Sequence, residues 1–206
     1  MRRVITAQDV PASGEIRIPV GSIITASAWE TAAARGVRIV ELPEEQLSAL
    51  GPPDKTIAIG ADHGGFRLKE ALKPVLASLG LEVRDVGVFE EKAADYPDIA
   101  HKVAQLVAAG TASRGVCIDG AGIGSCMVAN KVPGIRAALC YDKASAKNSR
   151  EHNDSNVLTL GARLLTETQA EDVLRTWLAT PFAGGRHQAR VRKIMDIEQL
   201  YLKKAL

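Results

Sequence analysis

Short apolar runs alternate with amphipathic stretches along the chain from residue 56 onward. The runs "TIAIG", "GVCIDG" and "NVLTLG" are apolar and rich in β-branched residues, and the stretches between them follow a helical period. Strands that alternate with helices are typical of a parallel sheet covered on both faces. The hydrophobic pattern therefore predicts an α/β fold for this part of the chain.

The first predicted helix, in "FRLKEALKPVLASLG", shows the helical period clearly. Leu68, Leu72, Val75, Leu76 and Leu79 recur at the spacing that places them on one apolar face. Pro74 lies inside the same stretch. It is expected to kink the helix or to remove one backbone hydrogen bond.

Residues 1–54 follow a different pattern, which predicts a small α+β appendage. "EIRIPVGSIIT" and "VRIVEL" contain β-type runs, and "ASAWETAAARG" is a short helical pattern closed by Gly36. "LSALGPPDKT" combines glycine, two prolines and charge, which indicates a linker between a 1–54 extension and a 55–206 domain. Because about fifty residues are marginally stable alone, the appendage is expected to dock on the main domain or on a partner.

Composition narrows the classes of function. With 206 residues and a net charge of +2, the whole molecule is not expected to bind nucleic acid or a membrane surface. The two arginines of "MRRVITAQDV" are followed by no apolar run of signal-peptide length, and no window approaches the roughly 18 apolar residues of a membrane span. A cytoplasmic protein is therefore expected. The three cysteines lack CxxC spacing, so neither a disulfide framework nor a zinc site is expected.

Polar residues follow the first strand of the domain in "IGADHGGF". Asp62 and His63 precede Gly64 and Gly65, which would let the backbone approach a ligand before the helix begins. A histidine beside a carboxylate suits acid–base chemistry near neutral pH. The alternative is a helix cap at Asp62 and an ordinary surface histidine at His63.

The third strand ends in "CIDGAGIGS", where Asp119 precedes Gly120, Gly122, Gly124 and Ser125. A dinucleotide loop would follow the first strand and would carry its last glycine where this chain has a serine. A nest of backbone N–H groups that stabilises an oxyanion beside a carboxylate base is the better interpretation. A plain turn capped by Asp119 is the alternative interpretation.

Two further clusters add a histidine and cations. His152 and Asn153 precede the last strand, where a neutral imidazole could move a proton between substrate oxygens, and an ordinary polar loop is the alternative. Arg186 and Arg190 lie one turn apart at the start of the last helix. Cations at a helix N-terminus are unfavourable unless a bound anion compensates, which indicates a phosphate site to which Arg163 could add a third cation. Together these groups suit proton transfer on a sugar phosphate with no redox cofactor.

The motifs "GADHGGFRLKE", "DYPDIA", "ANKVPGIRAAL", "SREHNDSNVLTLGAR" and "GGRHQARV" resemble the family of ribose-5-phosphate isomerase B and galactose-6-phosphate isomerase. The resemblance spans roughly residues 56–200. It implies a Rossmann-like three-layer sandwich with a five-stranded parallel sheet. It also implies metal-free aldose–ketose isomerisation through a cis-enediolate, without cofactors, in a homodimer or homotetramer whose subunits share active sites.

The resemblance also implies roles for individual residues. Asp62 and His152 would assist ring opening, and Tyr96 and Asn153 would line the sugar pocket. His152 and Arg163 would come from the neighbouring subunit. The resemblance assigns the phosphate to His63, Arg163, Arg186 and Arg190.

This chain departs from the family at the catalytic base. One branch of the family has a cysteine where this chain has Asp119, and the other has a glutamate where it has Ser125. The residue after the first loop glycine, usually serine or threonine, is Ala121. The hypothesis is that Asp119 takes the base role, although an aspartate with a pKa near ~3.9 is a weak base unless a dry pocket raises that pKa.

The N-terminal extension is similar, more loosely, to short segments on enzymes of bacterial microcompartments. That similarity implies packaging in a microcompartment, with shell proteins or co-packaged enzymes as partners. A docking or oligomerising appendage is the alternative.

Three functions remain open from the sequence. Ribose 5-phosphate isomerisation comes first, with other five- or six-carbon sugar phosphates as variants of it. A sugar-phosphate-binding or scaffold protein that has lost its base is the second. A nicotinamide-dependent oxidoreductase that uses the third-strand loop is the third.

Overall fold

The computed structural model describes residues 4–10, 15–43 and 56–202. A five-stranded sheet with all neighbours parallel lies at the centre of residues 56–202. Its strands are β5 (Thr56–Ala61), β6 (Glu82–Asp85), β7 (Arg114–Asp119), β8 (Ala137–Leu139) and β9 (Val157–Gly161). Their order across the sheet is β6-β5-β7-β9-β8. The helices between and after them are α2 (Phe66–Ser78), α3 (Tyr96–Ala108), α4 (Ile123–Ala129), α5 (Lys143–Asn153), α6 (Glu167–Ala179) and α7 (Arg186–Leu202).

Side chains alternate across this sheet and build two apolar layers. Ile57 and Ile59 of β5 pack with α2 and α6 on one face, whereas Ala58 packs with α3 on the other. Glycines let α3 approach closely, since a Cβ at Gly60 would lie 2.6 Å from a methyl of Ile99. The expected three-layer α/β sandwich with a five-stranded parallel sheet is confirmed.

Helix α2 matches the predicted apolar face only in part. Leu68, Leu72 and Leu76 are buried, whereas Leu79 follows the end of the helix and is 44% exposed. The prediction that Leu79 belongs to the apolar face of the helix was therefore wrong, because α2 ends at Ser78. Pro74 lies inside the helix, as the sequence indicated.

The N-terminal segment forms two parallel strand pairs around a helix. Strand β1 (Val4–Ile5) pairs with β3 (Ile23–Ile24), and β2 (Glu15–Pro19) pairs with β4 (Arg38–Leu42). A short 3-10 turn (Ala7–Asp9) follows β1, and α1 (Ala26–Arg35) ends at Gly36 in the left-handed conformation. The buried residues of this unit are Ile5, Val10, Ile18, Ala28, Ala32 and Val37.

The predicted strands and helix of this segment are thus confirmed. The parallel pairing of the strands was not predicted from the sequence. The predicted linker "LSALGPPDKT" lies outside the described residues except for Thr56, which begins β5. The domain boundary at residue 54 stays a prediction. Across the described ranges, no helix is both long and apolar enough to cross a lipid bilayer.

Candidate active site

Three strand ends bring polar side chains to one edge of the sheet. Asp62 follows β5, Asp119 ends β7, and Arg163 follows β9 by two residues. The strand register places Ala61 opposite Ile118 and Asp119 opposite Gly161. These groups therefore lie side by side at the carboxyl edge, where parallel α/β sheets hold their ligands.

The loop after β5 lies beside the loop after β7. The Asp62 carboxylate, 8% exposed, accepts a hydrogen bond from the Gly65 N–H at 2.9 Å. A Cβ at Gly64 would lie 3.8 Å from the Gly120 nitrogen, so the two backbones pass close to each other. His63 is exposed, and its Nδ1 lies 3.3 Å from the Ala94 carbonyl oxygen.

The loop after β7 wraps around the carboxylate of Asp119. This side chain is 5% exposed and accepts hydrogen bonds from the N–H groups of Ala121 at 2.8 Å, Gly122, and Ser125 at 2.9 Å. Gly122 has φ +76°, which turns its N–H inward and begins α4. These N–H groups point at the carboxylate of Asp119 itself, which is the capped turn of the alternative interpretation, and the oxyanion nest stays a prediction.

These hydrogen bonds decide the charge of Asp119. Burial raises the pKa of this carboxyl, but the hydrogen bonds from Ser125, Gly122 and Ala121 outweigh burial and leave the pKa below its ordinary value. The conditional expectation of a raised pKa in a dry pocket is therefore not met. Asp119 is a carboxylate at neutral pH, ready to accept a proton but weakly basic while the loop holds it.

Three side chains surround the same loop. A Cβ at Gly120 would lie 3.6 Å from Cδ and Nε of Arg163, and one at Gly124 would lie 2.5 Å from the Tyr96 ring. The Tyr141 hydroxyl donates a hydrogen bond to the Ala121 carbonyl oxygen at 3.3 Å. Arg163 therefore lies against the loop of its own chain, and its donation to the site of a neighbouring subunit stays a prediction.

A second polar cluster forms where α5 ends and α7 begins. The rings of His152 and His187 stack with their centroids 4.0 Å apart and their planes 10° from parallel. Arg186 and Arg190 lie on the first turns of α7, beside His187. The cluster therefore brings together the predicted acid–base histidine and the two predicted phosphate-binding arginines.

This second cluster lies at the amino edge of the sheet. Asn153 ends α5 four residues before β9 begins, whereas Gly161 at the other end of β9 lies opposite Asp119. A strand of five residues separates the two edges by about 16 Å at roughly 3.3 Å per residue. One chain therefore carries two separate polar clusters, named the carboxyl-edge and amino-edge half-sites, and it does not bring His152 to Asp119.

Sequence similarity identifies the family of this chain. The profile of the family described as Ribose/Galactose Isomerase matches residues 57–194, which is well over half of the chain. The chain belongs to this family. The match covers every strand of the five-stranded sheet and both half-sites, and it leaves the N-terminal segment outside.

Individual members of the family agree with this placement. Ribose-5-phosphate isomerase B of Escherichia coli is 44% identical over 145 residues, which cover 70% of this chain and 97% of the relative. D-erythrulose-4-phosphate isomerase of Pectobacterium atrosepticum is 40% identical over 141 residues, covering 68% and 92%. The structure of Clostridium thermocellum ribose-5-phosphate isomerase B shares 48% identity with a TM-score of 0.70, covering 71% of this chain and 99% of that one.

Three side chains near the half-sites were not among the site residues predicted from the sequence. They are Tyr141 against the loop after β7, and His187 and Asn148 against His152. The spacing of Asn148 and His152, four residues apart, was a usable signal because residues at that spacing are neighbours on a helix. Among the described residues, no group of three His, Cys, Asp or Glu side chains could hold a metal ion.

Proposed function

We propose that the protein interconverts ribose 5-phosphate and ribulose 5-phosphate by proton transfer through a cis-enediolate. Family membership over the whole α/β unit carries the proposal. The relatives named ribose-5-phosphate isomerase B give the substrate. The two half-sites supply carboxylates, a histidine and arginines of the kind that this chemistry needs.

In this proposal the site is completed by a second copy of the chain. The carboxyl-edge half-site holds the reacting carbons, and the amino-edge half-site of the partner supplies the ring-opening histidine. Helix α7 supports this pairing, because Ile194, Ile197 and Leu200 on it are 44%, 56% and 60% exposed. A symmetric dimer would cover this apolar surface and form two complete sites.

The remaining side chains take these roles. Asp62 and His152 assist ring opening, Asp119 is the base, and the N–H groups of Gly120, Gly122, Gly124 and Ser125 face the enediolate. Tyr96 and Asn153 line the sugar pocket. The phosphate is held by His63, Arg163, Arg186 and Arg190.

The loop couples base strength to substrate binding. The N–H groups of Gly122 and Ser125 that hold Asp119 are the same donors that an enediolate oxygen would use. When the substrate oxygen takes one of these donors, the carboxylate loses a hydrogen bond that lowers its pKa. Asp119 thus becomes a stronger base only when substrate is present.

Proton exchange at C2 of ribose 5-phosphate tests this function. The protein in deuterium oxide is expected to incorporate solvent deuterium at C2 and to produce ribulose 5-phosphate, and the Asp119→Asn variant is expected to lose both activities. Phosphate binding by the variant, measured calorimetrically, should persist. An Asp119→Asn variant that turns over at the original rate would overturn the base assignment.

A sugar-phosphate-binding protein without turnover is the second candidate. The low pKa of Asp119 in the free protein favours it, because a strongly held carboxylate is a poor base. In that case ribose 5-phosphate binds with no deuterium incorporation at C2. The same exchange experiment therefore separates the two functions.

The identity of the preferred sugar phosphate can also be tested by activity measurements. D-erythrulose-4-phosphate isomerase is a relative of similar identity, so four-carbon substrates belong in the panel beside five- and six-carbon ones. We propose ribose 5-phosphate as the substrate with the highest kcat/KM. A coupled assay across aldose and ketose phosphates ranks them.

For the N-terminal extension we propose a packaging role inside a bacterial microcompartment of the cytoplasm, with shell or co-packaged enzymes as partners. Its small folded core and exposed Trp29, 54% exposed on α1, support a segment built to meet another protein. A reporter-tagged full chain should co-purify with shells, and the same chain without residues 1–54 should not. Equal recovery of both would overturn the role.

A further inference from the structure

His152 is held on two sides in the folded chain. One face of its ring stacks on His187, which is 6% exposed. Its Nδ1 lies 2.9 Å from the amide nitrogen of Asn148. These two contacts leave Nε2 as the ring nitrogen that can reach a ligand.

The contact with Asn148 follows from the helix. Asn148 and His152 both lie on α5, four residues apart, so their side chains are neighbours on its surface. With an amide nitrogen as the donor, Nδ1 is the acceptor, and the proton of the neutral ring lies on Nε2. The contact therefore selects one of the two neutral tautomers.

Charged groups from two helices surround the stacked pair. Arg186 and Arg190 approach from α7, and Glu151 approaches from α5, where Lys147 pairs with it at 3.5 Å. Burial, followed by His152 and the two arginines, lowers the pKa of His187. A neutral His187 can stack on His152 without charge repulsion.

We propose that Asn148 is a positioning residue that fixes the tautomer of His152, so that Nε2–H faces the sugar phosphate. The proposal rests on the proposed function, in which His152 assists ring opening. A neutral Nε2–H donates a hydrogen bond to the sugar oxygen on which negative charge develops. Asn148 does not touch the substrate itself and acts through His152.

Asn148 lies just outside the motif that resembles the family. The motif that resembles the family begins at Ser149, one residue after Asn148. Asn148 is exposed on α5, and its contact with His152 is what the structure shows for it. The ring could therefore take either tautomer in a chain that has an aliphatic residue at this position.

Nitrogen NMR of the histidine rings tests the tautomer directly. The chain has four histidines, so a His152→Gln variant assigns the His152 signals. The full-length protein without substrate should show His152 as the Nε2–H form. Asn148→Leu should give a mixture of tautomers, and Asn148→Asp, whose carboxylate accepts from Nδ1–H, should give the opposite form.

Kinetics then separate positioning from stability. Asn148→Leu should lower kcat about fivefold to tenfold, as expected for one lost hydrogen bond, while KM stays within about twofold. Asn148→Asp should also lower kcat and change the pH profile of kcat/KM. Gln105→Leu, at an exposed amide on α3, is the matched control and should change neither.

The outcomes are distinct for the two proposals. An Nδ1–H tautomer in the original protein, or an unchanged tautomer and kcat in both Asn148 variants, would overturn the role of Asn148. If Asn148→Leu fails to fold, the nearly isosteric Asn148→Asp still decides the question. Absence of turnover on every sugar phosphate would overturn the proposed function alone, because the NMR experiment needs no substrate.

Discussion

Asp119 has two tasks at the residue scale, since its carboxylate organises the loop that also surrounds the candidate site. It accepts hydrogen bonds from three backbone N–H groups, of which those of Gly122 and Ser125 would otherwise be buried without partners. The same carboxylate is the proposed base. Replacement of this residue therefore affects both stability and catalysis, and the two effects have to be measured separately.

Asp119→Asn should lower the free energy of unfolding by about 1 to 3 kcal/mol, because an amide offers one acceptor oxygen where the carboxylate offers two. Urea denaturation of the two proteins at neutral pH measures the difference. The exposed acid Glu167 on α6 offers a control, and Glu167→Gln should stay within about 0.5 kcal/mol. Equal stability of Asp119→Asn and the control would contradict the hydrogen bonding described for the loop.

The stability that Asp119 contributes should depend on pH. Its pKa is lower in the folded protein than the roughly 3.9 of an unfolded chain, so its contribution is complete above that value. The contribution is lost as the pH falls through the folded pKa. The difference in unfolding free energy between the original protein and Asp119→Asn should therefore shrink from about pH 7 to about pH 3. A difference that grows on acidification would show the opposite pKa shift.

Much of the site could be predicted from residues alone, and the rest depended on loop geometry. Asp62 and Asp119 could be placed because strand ends are visible in the hydrophobic pattern. The return of the Asp119 carboxylate onto its own loop was not predicted in detail, since it depends on the left-handed conformation of Gly122. The position of Arg163 depended on the turn after β9, which no local pattern specifies.

At the scale of elements, several side-chain contacts hold the turn that ends α5, next to His152. Asp154 has φ +48°, and no other residue apart from glycine has a positive φ within the described part of the chain. Its carboxylate pairs with Arg136 at 2.9 Å and with Arg150 at 2.8 Å. Arg136 also donates to the carbonyl oxygens of Asn153 and Asp154. The turn that carries His152 is thus held by two arginines from different parts of the chain.

Replacing Asp154 by alanine and by glycine should separate the charge from the backbone. Asp154→Ala loses both ion pairs and keeps a side chain in the left-handed region, so it should cost about 2 kcal/mol or more. Asp154→Gly loses the same pairs but adopts this conformation freely, and should be about 1 kcal/mol more stable than Asp154→Ala. Thermal denaturation compares the two. The reverse order would show that Asp154 is not strained.

The element order of the sheet was predictable in kind but not in detail. Alternation of strands and helices indicates a parallel sheet, whereas the central place of β7 in the sheet depends on packing between segments distant in sequence. The N-terminal pairs illustrate the same limit. Their strands were visible in the sequence, but two-residue strands such as β1 carry too little pattern to indicate their partners.

At the scale of the whole molecule, two half-sites on opposite edges make a direct test of the proposed dimer possible. Asp119→Asn impairs one half-site and His152→Ala the other. In a mixed dimer, one of the two sites receives both defects and the other receives none. Mixing the two variants after partial denaturation should therefore restore roughly a quarter of the original activity, given random pairing of protomers.

Each variant refolded alone serves as the control and should stay inactive. Restored activity should follow the fraction of mixed dimers, which native mass spectrometry counts. Mixed dimers without activity would show that one chain supplies both groups to each site. Monomers with full activity would contradict the shared site altogether.

The separation of the half-sites also has a genetic consequence. A chain that carries both Asp119→Asn and His152→Ala would damage both sites of any dimer it enters. Expressed in equal amount beside the original chain, it should leave only about a quarter of the sites working under random pairing. Beside the original chain, either single variant would leave about half of the sites working, so its loss of activity would be recessive. The double variant leaves fewer sites working, and its loss of activity would therefore be dominant.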